Sequence, residues 1–300
     1  MDFTFTALGN LLRTCIDSGF CFSPVKDYSA SGNKDGGRVI IMRHDVDRRP
    51  DNSLACARLE NKLGITGTYY FRITPDSFDR KTILEIASLG HEIGYHYEDL
   101  DIVARRSRTR CGNRGYQLDE ELSGEAFESF RENLQKIREV APVVTACMHG
   151  SPMSRHDSRH IWKYFDYSRL GIECEPYFDI VLDDILYLTD TGRRWDGVSV
   201  SVRDRLYARS DEYYEAWTRK PVTGSAMAAS GRGISFNSRL RFRSTNDIIR
   251  ALRINSLHDR LFITIHPQRW SMDTFQWFQE LTGQKLKNIA KYFIAEMQFR

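Results

Sequence analysis

The sequence predicts an α/β fold built on a parallel sheet, as a single domain over residues 1–300. Three observations carry this expectation. Short apolar runs of strand length alternate with segments whose apolar residues recur every three or four positions. Most of those runs are largely apolar at consecutive positions, as strands buried on both faces are. No linker, internal repeat or low-complexity stretch divides the chain.

The elements follow in order. Phe5, Leu8, Leu11, Leu12 and Ile16 recur at helical spacing, so 5–20 reads as a helix with Gly19 near its end. Residues 27–37, rich in Ser, Gly, Asn, Lys and Asp, read as a loop. The run 39–42 is a first buried strand, leading into Arg43-His44-Asp45-Val46-Asp47. A helix over 52–63 carries Leu54, Ala57, Leu59 and Leu63, and Gly64 closes it. Strand 68–71 follows, then a helix over 79–89 ended by Gly90, then strand 92–96. A longer helix over 119–140, with Phe127, Phe130, Leu134 and Ile137, precedes strand 143–148. Beyond it the pattern loosens. Runs 185–188 and 198–202 are strand-like, 203–245 is a polar and basic surface excursion, 246–252 is helical, and 261–265 is a last strand before His266-Pro267. The core thus spans about 38–268, with a helix and loop over 1–37 and a C-terminal helix over 269–300.

Composition narrows the function classes. Hydrophobic residues are 41% and charged residues 28%, the balance of a globular protein rather than a disordered or fibrous one. A net charge of +3 is too mild to point to nucleic acid. No run reaches the roughly 18 apolar residues of a membrane span. The opening Met1-Asp2-Phe3-Thr4-Phe5 lacks a basic segment before an apolar one, so a cytoplasmic protein with reduced thiols is expected. The six cysteines form no CxxC pair and read mostly as small core residues.

The chemistry-bearing residues gather at strand ends. Asp45 and Asp47 end the first strand, His96 the third, His149 the fourth and His266 the last. In parallel α/β sheets and barrels, ligands bind at the carboxyl ends of strands. Carboxylate and imidazole together suit one divalent ion, zinc first, with cobalt, nickel or iron(II) as alternatives. Such an ion acidifies water and polarises a carbonyl. A second carboxylate can then take a proton and a histidine can give one. Asp45, Asp47 and His266 are the residue types for those roles.

Several of these segments resemble the polysaccharide deacetylase family, carbohydrate esterase family 4, whose fold is a distorted (β/α) barrel. Ile40-Ile41-Met42-Arg43-His44-Asp45-Val46-Asp47 resembles its first motif, Thr68-Tyr69-Tyr70-Phe71 its second strand, Gly90-His91-Glu92-Ile93-Gly94-Tyr95-His96 the segment leading to its metal histidine, and Ile263-Thr264-Ile265-His266 its last motif. The resemblance covers roughly 38–150 and, more loosely, 261–268. It implies one of Asp45 and Asp47 as base and the other as metal ligand, His96 as metal ligand and His266 as general acid; with either aspartate open to either role, Asp47 is assigned to the metal and Asp45 to the base.

The chain also departs from the family. Val46 separates two aspartates that are usually adjacent. Leu100 stands where a second metal histidine is expected, so His149 is assigned as third ligand, with Glu98 as the alternative. His149-Gly150-Ser151-Pro152 replaces an arginine–proline motif, leaving Arg43, Arg72 and Arg269 as candidates to orient the base. The resemblance implies removal of an N-acyl group, chiefly N-acetyl, from an amino sugar, as a small molecule or lipid-linked precursor of a surface polysaccharide. Nucleic acid and a membrane span are not expected. Leu100 also admits a barrel that lost its metal and only binds, and related barrels hydrolyse non-sugar C–N bonds.

The remaining polar residues have plainer readings. His91 and His44 should face away from the site. His156 and His160, four apart, read as a polar helix start more readily than as ligands. The run Arg105-Arg106-Ser107-Arg108-Thr109-Arg110, and Arg239, Arg241 and Arg243, read as solvated or as phosphate contacts. Asp190, Arg194 and Trp195 could line the mouth, and Trp195 and Trp270 are equally readable as sugar platforms or core.

Overall fold

The computed structural model describes residues 1–31, 37–111, 120–150, 156–182, 185–195 and 242–284. Among them lie seven strands, β1 (Cys21–Ser23), β2 (Val39–Val46), β3 (Thr68–Phe71), β4 (Glu92–Tyr97), β5 (Ala146–Met148), β6 (Leu186–Thr189) and β7 (Arg260–Ile265). Eight helices interleave with them: α1 (Phe5–Asp17), α2 (Val25–Ser31), α3 (Pro50–Lys62), α4 (Arg80–Ser88), α5 (Asp99–Cys111), α6 (Glu120–Arg138), α7 (Pro176–Asp179) and α8 (Thr245–Arg253). The chain is helical again over 274–284.

All strand pairs are parallel, in the order β5-β4-β3-β2-β7-β6. β2 is the central strand. β7 lies along one edge, and β1 and β3 share the other, β1 beside Val39–Ile41 and β3 beside Arg43–Val46. The result is an α/β domain with a curled parallel half-barrel surrounded by helices. Of the distorted barrel that the resemblance implies, the described strands show this half-barrel, with β5 and β6 at the two ends of the sheet order.

Alternation along β2 divides the core. Ile40, Met42 and Val46 join the large cluster under the helices, whereas Ile41 joins Tyr70, Cys147, Cys174 and Phe262 on the concave face. Both faces are buried, which is why these strands read as unbroken apolar runs. Gly94 is required on β4, because a Cβ there would stand 2.3 Å from Tyr70 Cε1. The Tyr70 ring thereby reaches across to donate its hydroxyl to Thr145 Oγ1 at 3.1 Å.

Several boundaries differ from expectation. The first helix stops at Asp17, where Gly19 takes φ 81°. The 27–37 loop begins with the end of α2, whose Val25 N–H donates to Thr68 Oγ1 and Lys26 N–H to Glu92 Oε2. The fourth strand is only Ala146–Met148, although Thr145 bridges to Cys174 beside it. The basic run lies on α5, where Arg105 pairs with Asp101 one turn earlier. The strand-like run 198–202 and most of the 203–245 excursion, with Arg239 and Arg241, lie outside the described residues. Cys15, Cys21, Cys56, Cys147 and Cys174 are free thiols. No helix among the described residues is long and apolar enough to cross a membrane.

Candidate metal centre

Arg43 and Asp45 lie toward the carboxyl end of β2, the end at which ligands bind in parallel α/β sheets. Arg43 grips Asp45 with two parallel bonds, Nε to Oδ1 at 2.7 Å and Nη2 to Oδ2 at 2.8 Å, and both residues are buried. Burial alone would raise the Asp45 carboxyl, but Arg43, with His96 and His266, holds it well below the usual carboxylate range. Asp45 is therefore an ionised carboxylate of fixed orientation.

Asp47 lies just past β2. Its Oδ2 accepts from Gln268 Nε2 at 2.9 Å, while its Oδ1 is buried and accepts no hydrogen bond. Two imidazoles face that oxygen, His149 with Nε2 at 3.4 Å and His96 with Nε2 at 3.7 Å. The other nitrogen of each ring is committed. His96 Nδ1 donates to the Cys147 carbonyl at 2.9 Å, and His149 Nδ1 donates to Glu98 Oε2 at 3.0 Å. A carbonyl and a carboxylate only accept, so each ring carries a proton on Nδ1 and turns Nε2 toward Asp47. Glu98 is ionised: burial alone would raise it, but His149 and Arg72 bring it down to about 2. Burial pushes His96 down to about 4, so its ring is neutral at neutral pH, the form that ligates.

Asp47, His96 and His149 each offer one ligand atom, and the three atoms lie within 4.8 Å of one another, a grouping that could hold a cation. A tetrahedral zinc with bonds of about 2.0–2.1 Å spaces its ligand atoms about 3.3 Å apart. The 3.4 and 3.7 Å separations are close to that spacing, and the donor set fits a divalent ion. Backbone pairing holds the ligands in place. His96 lies opposite Cys147 in the β4–β5 register, the His149 N–H donates to the Tyr97 carbonyl at 2.8 Å, and Glu175 Oε1 accepts from the Met148 N–H at 3.1 Å.

His266, after β7, shares this end of the sheet, close enough that a charge on its ring would lower both the Asp45 and the Asp47 carboxyl. Its Nδ1 lies 2.6 Å from Asp190 Oδ1, and its backbone N–H donates to Oδ2 at 3.0 Å. Asp190 is fully buried at the end of β6 and also accepts from Arg269 Nη1 and Trp270 Nε1, each at 2.8 Å. Arg269 Nη1 also comes within 3.0 Å of His266 Nδ1, because both nitrogens donate to the same carboxylate oxygen. Burial alone would raise the Asp190 carboxyl, yet Arg269 and His266 hold it below its usual range.

The structure brings Asp45, Asp47, His96, His149 and His266 to one end of the sheet and sorts the alternatives. Glu98 faces His149 Nδ1 and is gripped by Arg72, so it supports His149 rather than joining Asp47 and His96. Leu100 is fully buried among Val103, Ala104, Leu122, Ala126 and Ile161. Each candidate arginine has its own carboxylate: Arg43 takes Asp45, Arg72 takes Glu98 and Arg269 takes Asp190. His44 turns to the helix layer, stacked 4.0 Å from Tyr69 with Nε2 2.8 Å from Glu60 Oε1, and His91 bonds the Ala57 carbonyl. His160 sits on a short 3₁₀ turn, Ser158–Lys163, and neither it nor His156 joins the cluster. Trp195 and Trp270 pack against Phe3 in the core instead of offering a sugar platform, and Asp190 is buried rather than at a mouth. Ser151 and Pro152 lie outside the described residues.

Gln268 and the pairing role of Asp190 were not legible in the sequence as site features. Asp190 satisfies the same strand-end rule as the histidines, but a lone aspartate before a Thr-Gly turn resembles turn chemistry. Gln268 carries no such signal. No family model, curated protein or solved structure matches this chain.

Proposed function

We propose that this chain is a metal-dependent hydrolase that removes an N-acyl group, chiefly N-acetyl, from an amino sugar of a surface-polysaccharide precursor. The observation that carries the reading is Asp47 Oδ1, which accepts no hydrogen bond and faces two imidazole Nε2 atoms, beside an arginine-bound carboxylate and a carboxylate-bound histidine. Together with the resemblance to polysaccharide deacetylases, that arrangement supports Asp47, His96 and His149 as the ligands of the ion. A divalent ion held there supplies Lewis acidity toward water and an acyl carbonyl.

The protein's own groups do the rest. Asp45, ionised and held by Arg43, accepts a proton from the attacking water. His266, its Nδ1–H directed at Asp190, presents Nε2 as the proton-giving atom. As the C–N bond breaks and the new C–O bond forms, that proton goes to the departing amine nitrogen, giving a carboxylic acid and a free amino sugar. Leu100 removes one expected ligand, and His149 on the neighbouring strand replaces it.

The test is acetate release from a panel of N-acetylated amino sugars, free, nucleotide-linked and lipid-linked, by the zinc-loaded chain. Release should stop with a chelator and in His96→Ala, which should also lose the ion. A chain that binds zinc yet releases acetate from none of these would instead support a binding component. Release from non-sugar amides alone would move the substrate to another C–N bond.

A further inference from the structure

The two aspartates at the end of β2 have partners of different charge. Asp45 is held by a guanidinium, Asp47 by the neutral amide of Gln268. Gln268 sits on the Pro267–Arg269 turn directly after β7. That turn is clamped to α3, because Asn52 Nδ2 donates to the carbonyls of Pro267 and Trp270 at 3.3 and 2.8 Å. Gln268 is 4% exposed, and its Oε1 is buried with no hydrogen-bond partner.

The amide can lie only one way round. A flipped amide would set Oε1 against Asp47 Oδ2, two acceptors face to face. With Nε2 committed to Asp47, the protein leaves a carbonyl oxygen unpaired in its interior, which costs stability. A residue needed only to fill this space would be Leu or Met, with no such cost. A residue needed to neutralise Asp47 would be Lys or Arg, as Arg43 is for Asp45. Gln supplies a directional donor and no charge.

We propose that Gln268 is a positioning residue that selects Asp47, and not Asp45, as the metal carboxylate. It does so in two ways. Its hydrogen bond to Oδ2 fixes the carboxylate so that Oδ1 faces His96 and His149. Its neutrality leaves Asp47 its full charge for the cation, whereas Arg43 cancels the charge of Asp45. The proposal rests on the metal-centre reading and extends it to a residue outside the ligand set.

Two variants separate the hydrogen bond from the charge. Gln268→Met keeps the volume and removes the donor. Gln268→Lys keeps a donor toward Oδ2 and adds a positive charge. Zinc affinity of the full chain is measured by competition with a chelating dye, and the melting temperature of each metal-free chain is recorded. Gln268→Met should bind zinc about 10–100-fold more weakly, the usual loss when a ligand's hydrogen-bond partner is removed. Gln268→Lys should bind more weakly still, although a purely structural tether would survive in it. Both metal-free melting temperatures should stay near that of the wild type. Zinc affinities within about threefold of wild type in both variants overturn the proposal. So does weakening that tracks a collapse of the metal-free melting temperature. A wild-type chain that binds no zinc overturns the metal-centre reading along with it. A wild type that binds zinc beside unaffected variants overturns only the role of Gln268.

Discussion

Asp45→Asn is expected to keep its metal and lose on the order of 10²–10⁴ in kcat, the usual worth of a positioned general base. Asparagine matches the shape of aspartate but cannot accept the proton. The Arg43 pair makes the variant informative in a second way. Arg43 is 2% exposed, and without the Asp45 charge it becomes a buried cation without its partner. Removing one partner of a buried pair costs roughly 3–5 kcal/mol, so a lower melting temperature should accompany the loss of rate. Rates are therefore compared well below both melting temperatures, with zinc content measured on the same samples. Near-wild-type turnover with full zinc would make Asp45 a structural counter-ion. Loss of zinc in Asp45→Asn would mean that Asp45 and Asp47 had been exchanged. The salt bridge also carries a chemical cost, since a carboxylate held this low is a weak base. It can serve only if the proton it takes comes from water already made acidic.

His266→Ala should separate two substrates. An amine leaves poorly unless it is protonated as the C–N bond breaks, whereas an activated phenol leaves with little help. The variant should cripple release of acetate from an N-acetyl sugar by about 10²–10⁴-fold and spare an activated aryl acetate much more. The alternative is a histidine that only anchors the end of β6 to the end of β7. Asp190 accepts from His266, Arg269 and Trp270 alike, so that alternative is a real one. It predicts equal damage to both substrates and a large fall in melting temperature. Measuring both rates and the melting temperature on this one variant distinguishes the two roles.

The strand ends were legible in the sequence because they rest on two local signals, an apolar run and the polar residue that terminates it. His96, His149 and His266 each follow this pattern, and the structure gathers them with Asp45 and Asp47. Period-two alternation also turns His44 and His91 toward Glu60 and the helix layer, as their spacing predicts. What the sequence could not supply depended on contacts between distant segments. β1 is three residues long and has no apolar periodicity of its own; it exists because Cys21–Ser23 pairs with Val39–Ile41. α5 was hidden by its arginines, whose helical placement shows only when Arg105 meets Asp101. The choice between His149 and Glu98 turned on a single hydrogen bond and on Arg72, 26 positions from Glu98. Gln268 lies 221 positions from the carboxylate it contacts, in a turn where a glutamine is unremarked. The distorted barrel is implied by resemblance alone, and the described strands show a curled parallel half-barrel of it.

The most direct test of the metal centre is anomalous diffraction at the zinc edge from crystals of the zinc-loaded chain. The arrangement predicts one peak at the carboxyl ends of β2, β4 and β5, with bonds of about 2.0–2.2 Å from Asp47 Oδ1, His96 Nε2 and His149 Nε2, and Gln268 Nε2 still bonded to Asp47 Oδ2. A peak ligated by Asp45 or Glu98 in place of these atoms, or no peak at the site in crystals that carry zinc elsewhere, would contradict it.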